Sequence, residues 1–176
     1  RADSLSAACL SMQGHSDSYV FYGYVDQLLV GEELAREGIK PVLDYFAQDV
    51  ELGLGTQLWL IRGDTAQGAV QAGEKTGVDS RLSTLQTDSE MGAAGVTRTV
   101  GETSASLLEW GSAYLPALRA VEQEREGETA LLEAGYGVLR DGRLVGYLDG
   151  EGARGLELLT GRTAADILEI ELPSGR

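Results

Sequence analysis

The sequence predicts an α/β (α+β) fold: a mixed β-sheet with a late β-hairpin, flanked by several helices. Three observations carry this expectation. Apolar residues recur at three- and four-residue spacing through most of the first two thirds of the chain. In the last third they alternate, and Asp141-Gly142 sits between two alternating runs. Helix-like and strand-like segments also interleave several times, which calls for layers of helices on a sheet.

Residues 2–13 read as an amphipathic helix, with Leu5, Ala8, Cys9 and Met12 on one face. Tyr19–Val30 reads as a strand that opens with aromatic and β-branched residues and ends in the apolar block Leu28-Leu29-Val30. Gly31 suits a strand-to-helix corner. Glu32 and Glu33 then open a short helix over 32–37, where carboxylates offset the positive end of the helix dipole, and Arg36 falls in its last turn. Gly38 closes it. Pro41 begins the next helix, over 41–49, at a position where its missing N–H costs nothing. Leu43, Phe46, Ala47 and Val50 are its expected buried face.

Thr56–Ile61 reads as a second strand, closed by the turn Arg62-Gly63-Asp64. Asp64 is the expected N-cap of a helix over 64–72 bearing Ala66, Ala69, Val70 and Ala72. Leu82 and Leu85 mark a helix over 79–91, and residues 91–95 form a connection. Leu107, Leu108 and Trp110 mark a helix over 102–113. Pro116 is expected just ahead of an alternating strand. Asp141-Gly142 is a two-residue type I′ turn, so residues 136–148 form a hairpin. A short helix follows with Ala153, Leu156 and Leu159 on one face. Residues 165–173 end the chain as a strand in which Ile167, Glu169 and Glu171 alternate with Leu168, Ile170 and Leu172.

The chain has 176 residues, of which 43% are hydrophobic. That length fits one ordinary domain able to bury roughly 70% of its unfolded surface without a metal or disulfide staple. The net charge of −14 argues against nucleic acid and against docking on anionic headgroups. The single cysteine, Cys9, cannot form an internal disulfide. It sits in SAACL (residues 6–10), which has no long apolar segment or basic start before it, so a buried helical cysteine is the expectation there. No run approaches 18 continuous apolar residues, so no membrane span is expected.

The search for chemistry is mostly negative. His15 is the only histidine; Ser16 and Asp17 beside it do not make a triad, which is a spatial arrangement. One histidine and one cysteine are too few for a zinc site. The Asp149–Gly155 segment lacks calcium-loop spacing, and Gly53–Leu58 is neither a dinucleotide fingerprint nor a phosphate loop. Arg62-Gly63-Asp64 can be a recognition tripeptide, but its place between strand and helix favours a turn. The acidic stretch Glu32, Glu33, Asp44 and Asp49 is explained by helix capping and dipole effects. No catalytic, cofactor-binding or metal-binding residue is therefore assigned from these patterns.

The stretch VGEELAREGIKPVLDYFAQDVEL resembles a signature region of the Ger(x)C family, the C subunits of bacterial spore germinant receptors. Gly31, Glu32, Glu33, Ala35, Gly38, Ile39, Leu43 and Asp44 match the family pattern. Leu115-Pro116, Gly135–Val138, Leu144-Val145-Gly146 and Gly155-Leu156 resemble its later features in order and spacing. Gln48 stands where members often carry a basic residue, and no histidine lies near Tyr24. The resemblance implies that residues 1–172 form the N-terminal domain of such a lipoprotein and that 173–176 lead towards further domains. It also implies a lipid anchor on an upstream cysteine, at the outer face of the spore inner membrane. Its implied role is non-enzymatic, in nutrient-triggered germination through contacts with membrane-embedded A and B subunits, with no cofactor. Two other readings compete. The domain could bind the germinant itself, which needs an enclosed pocket with convergent polar groups. It could instead be a hydrolase using Glu32, Asp44 and Asp49, which needs carboxylates facing each other in a cleft.

Overall fold

The computed structural model describes residues 5–15, 17, 25–49, 52–73, 77–122 and 129–161. Over these, α1 (Leu5–Gly14) leads to β1 (Gln27–Gly31), α2 (Glu32–Glu37), α3 (Lys40–Gln48) and β2 (Gln57–Ile61). Three helices follow: α4 (Ala66–Ala72), α5 (Val78–Glu90) and α6 (Val100–Trp110). The chain then runs through β3 (Ser112–Glu122), β4 (Thr129–Arg140), β5 (Arg143–Leu148) and α7 (Glu151–Thr160).

The five strands form one mixed sheet in the order β1-β2-β3-β4-β5. β1, β2 and β3 run parallel, and β3, β4 and β5 are antiparallel neighbours. The parallel half is covered on both faces, which is why β2 reads as a continuous apolar run rather than an alternation. Leu58 and Leu60 point into a core with Ala35 of α2, Val42, Leu43 and Phe46 of α3 and Val100 of α6. Trp59 and Ile61 point the other way, onto Ala69 of α4 and Leu82 and Leu85 of α5. The expected class is therefore the observed one.

Several expectations change in the details. Strand pairing of the first strand begins at Gln27; Tyr19–Tyr24 and the final segment 165–173 lie outside the described residues. In α1, Met12 is exposed and Cys9 only half-buried; the Tyr45 hydroxyl reaches Cys9 Sγ at 3.8 Å, and Leu5 at the start of the helix packs against the core. In α3 the buried set is Val42, Leu43 and Phe46; Ala47 faces outward, and Val50 lies outside the described residues. The N-cap of α4 is Thr65, whose hydroxyl accepts from Gly68 N–H, while Asp64 accepts from Thr65 N–H one residue earlier. α6 starts two residues before the expected position because Thr99 and Glu102 form a reciprocal capping box. Its inward residues are Val100 and Thr103, and Leu108 is 83% exposed. Pro116 lies inside β3, at the irregularity where the β3–β4 register shifts, a place that tolerates a missing N–H. α7 buries no residue fully, and Leu159 is exposed.

Candidate functional site

The acidic stretch that begins at Gly31 folds into a corner at the C-terminal ends of β1 and β2. Gly31 passes so close to the loop after β2 that a Cβ there would lie 3.1 Å from both Thr65 Cα and Ala66 N. Glu32 N–H donates to Asp64 C=O at 3.2 Å. The Glu32 carboxylate divides its two oxygens. Oε1 accepts from Arg36 Nη2 at 2.6 Å and Nε at 3.0 Å, and Oε2 accepts from Gly63 N–H at 2.6 Å. Burial would raise the Glu32 pKa, but the Arg36 and Gly63 hydrogen bonds, the neighbouring Tyr147 hydroxyl and the Arg36 charge outweigh it and hold the pKa below the ordinary range.

Arg62 completes the corner. Its guanidinium lies 4.2 Å from the centre of the Tyr147 ring, and Nη1 donates to Asp149 Oδ2 at 3.0 Å and Ala134 C=O at 3.2 Å. Burial first, and the Glu32 carboxylate second, push the Tyr147 hydroxyl up. The Arg62-Gly63-Asp64 tripeptide is thus bonded into the fold on all three residues, as its reading as a turn requires. At the other end of α2, Gly38 has φ 134° and Ile39 N–H donates to Gly142 C=O of the hairpin turn at 2.9 Å. α2 is a short strut between the β2 turn and the β4–β5 turn.

The four suspected carboxylates therefore have separate surroundings. Glu32 is held by Arg36 and Gly63, and Glu33 is exposed. Asp44 lies on the outer face of α3, 3.7 Å from Lys40 Nζ. Asp49 caps the end of α3, its N–H bonded to Tyr45 C=O. The structure does not bring them into one cleft. Sequence reasoning placed Glu32 and Glu33 together as helix-start residues; the bridge from Glu32 to Gly63 has no local signal, since 31 residues separate the partners. His15 is exposed, with Nδ1 2.7 Å from Ser11 C=O at the end of α1. Among the described residues no group of three or more His, Cys, Asp or Glu gathers as a metal site would require. Also among them, no helix is long and apolar enough to cross a membrane.

A cleft of about 430 Å³ opens between the 92–96 loop, β4 and α7. Three of its side chains, Tyr136, Glu133 and Glu157, are bonded within the protein. Tyr136 Oη donates to Glu157 Oε1 at 2.6 Å and accepts from Val96 N–H at 2.6 Å; Glu133 Oε1 accepts from Gly95 N–H at 2.8 Å. Burial first and the Glu157 bond second push the Tyr136 hydroxyl up. These bonds fasten the loop and α7 to the sheet.

The sequence matches the family described as "Spore germination protein N-terminal domain" over residues 1–120. The fold is similar to that in the crystal structure of the GerBC protein, with a TM-score of 0.55 and 20% sequence identity. That similarity covers 87% of this chain and 42% of the other, so the chain spans less than half the length of that solved chain. No curated protein matches the sequence.

Proposed function

The chain belongs to the family of spore germination protein N-terminal domains, and on that premise we propose that it is a non-enzymatic domain of a germinant receptor C subunit, working through contacts with the membrane-embedded A and B subunits. The observation that carries this reading is the bonding of the family-patterned stretch. Gly31, Glu32, Gly38 and Ile39 hold α2 between two turns of the sheet, and their polar groups contact the protein's own backbone and Arg36. Such a stretch shapes and orients a surface. Among the described residues no facing pair of carboxylates supports the hydrolase reading, and in the 430 Å³ cleft Tyr136, Glu133 and Glu157 are engaged within the protein, which does not favour the germinant-binding reading.

In this reading residues 1–172 act as one domain of a longer lipoprotein on the outer face of the spore inner membrane. A lipid on an upstream cysteine supplies membrane residence, since a chain of net charge −14 is repelled by anionic headgroups. The test is purification of the complete lipoprotein from spore membranes together with its candidate A and B partners. Recovery of both membrane subunits with it is expected. A lipoprotein that comes away alone, under conditions that keep the A and B subunits paired, overturns the reading.

A further inference from the structure

α3 and α6 lie side by side on one face of the sheet, and each turns a helical stripe towards the groove between them. Lys40, Leu43, Asp44 and Ala47 follow the i, i+3, i+4, i+7 spacing on α3; Ser104, Leu107 and Leu108 follow i, i+3, i+4 on α6. The groove holds about 330 Å³ and is closed at one end by the Asp141-Gly142 turn. Trp110, at the C-terminal end of α6 and three residues past Leu107, is 72% exposed. Ser104 Oγ is buried behind the wall of this groove with no hydrogen-bond partner, a state that costs free energy. Two helices that leave Leu108 and Trp110 in water have the shape of an incomplete three-helix packing.

The charges around the groove select what completes it. Two carboxylates, Asp44 and Asp141, line it against one lining cation, Lys40, which lies 3.7 Å from Asp44 and leaves Asp141 without a cation among the described lining residues. A second copy of this chain would bring the same carboxylates against themselves, with −14 on each copy. We infer that this groove docks an amphipathic helix of another chain, with apolar residues at i, i+3/i+4 and i+7 and a Lys/Arg-rich flank. The inference rests on the subunit reading above and names the surface that reading leaves open.

The probe is a set of three peptides titrated into the 176-residue chain: a leucine–lysine amphipathic helix, its leucine–glutamate counterpart and a scrambled leucine–lysine sequence. Trp110 reports occupancy by a blue shift of its emission, while Trp59 is already buried and serves as a constant background; Trp110→Phe assigns the signal. The leucine–lysine helix should give a saturable, salt-sensitive shift, and the other two should not. Leu108→Glu and Ala47→Glu change exposed positions, so they should keep the thermal midpoint and weaken binding about tenfold or more. An equal response to the glutamate or scrambled peptide, unchanged binding in Leu108→Glu, or concentration-dependent self-association in place of peptide binding overturns the inference. In spores, Leu108→Glu in the complete subunit should impair germination at normal protein level. Normal germination there overturns the groove alone, whereas normal germination after deletion of the whole subunit overturns the subunit reading.

Discussion

Glu32 and Gly63 are 31 residues apart in sequence, yet the Glu32 carboxylate accepts the Gly63 backbone N–H at 2.6 Å and so ties the first turn of α2 to the turn after β2. A carboxylate in that position stabilises through three effects at once: the helix dipole, the Arg36 ion pair and a charge-assisted bond to backbone. Glu32→Gln keeps the shape and loses the charge, so it should destabilise by about 1–2 kcal/mol. Glu33→Gln, at an exposed position, should lose at most the dipole contribution of about 0.3–1 kcal/mol. Chemical denaturation of both variants checks the order; equal effects would refute the bridging role.

The same carboxylate sets a pH dependence. Its folded pKa lies below the ordinary 4.5. A depressed pKa means that the folded state favours the ionised form, so the contribution is complete above the unfolded pKa and fades as pH falls through the folded one. The stability difference between wild type and Glu32→Gln should therefore be constant above about pH 5 and narrow below about pH 4.5. A difference that grows on acidification would contradict the assignment.

Phe46 is buried in the core between α3 and the sheet. Phe46→Ala should cost about 3–5 kcal/mol, from lost transfer free energy and the cavity left behind. In a spore this variant should lose germination through loss of the subunit, while Glu33→Gln retains most of it. Immunoblotting of spore membranes beside the germination response separates loss of protein from loss of function.

Gly142 has φ 77° and Asp141 φ 52°, as a type I′ turn requires, and Gly142 C=O receives the Ile39 N–H. Gly142→Val forces a β-branched residue into the left-handed region and should cost about 1–2 kcal/mol. Because this turn is the far anchor of α2, amide exchange should also speed up at Ile39. Protection at Ile39 equal to wild type would show that the turn and α2 are not coupled.

The α6 capping box gives a separable local effect. Thr99→Ala removes the acceptor of Glu102 N–H and should cost about 1 kcal/mol. Thr99→Ser keeps the hydroxyl and should restore most of it. If the alanine and serine variants melt together, the box contributes nothing.

Local chemistry is legible in the sequence. Asp141-Gly142 demands a tight turn whatever surrounds it, and Gly31, Glu32, Gly38 and Pro41 punctuate a strand–helix–helix corner through backbone freedom and capping. The order and spacing of Gly31, Glu32, Glu33, Ala35, Gly38, Ile39, Leu43 and Asp44 carry the Ger(x)C resemblance, which the family match bears out. Thr99 and Glu102 also form a legible capping pattern, which sets the α6 start at Val100, two residues ahead of the start that the apolar trio Leu107, Leu108 and Trp110 predicts. Which stripe of each helix lies inside is set by packing between distant segments. Periodicity marks an apolar face, but the neighbour that covers it comes from elsewhere in the chain: Val42 and not Ala47 meets the sheet, Leu108 stays in water, and α7 lies on the surface without a buried side chain. The Glu32–Gly63 bridge belongs to the same class. A contact across two parallel strands depends on their register, Gly31 beside Ile61, and register is fixed by the packing of both faces of the sheet, which no window of neighbouring residues contains.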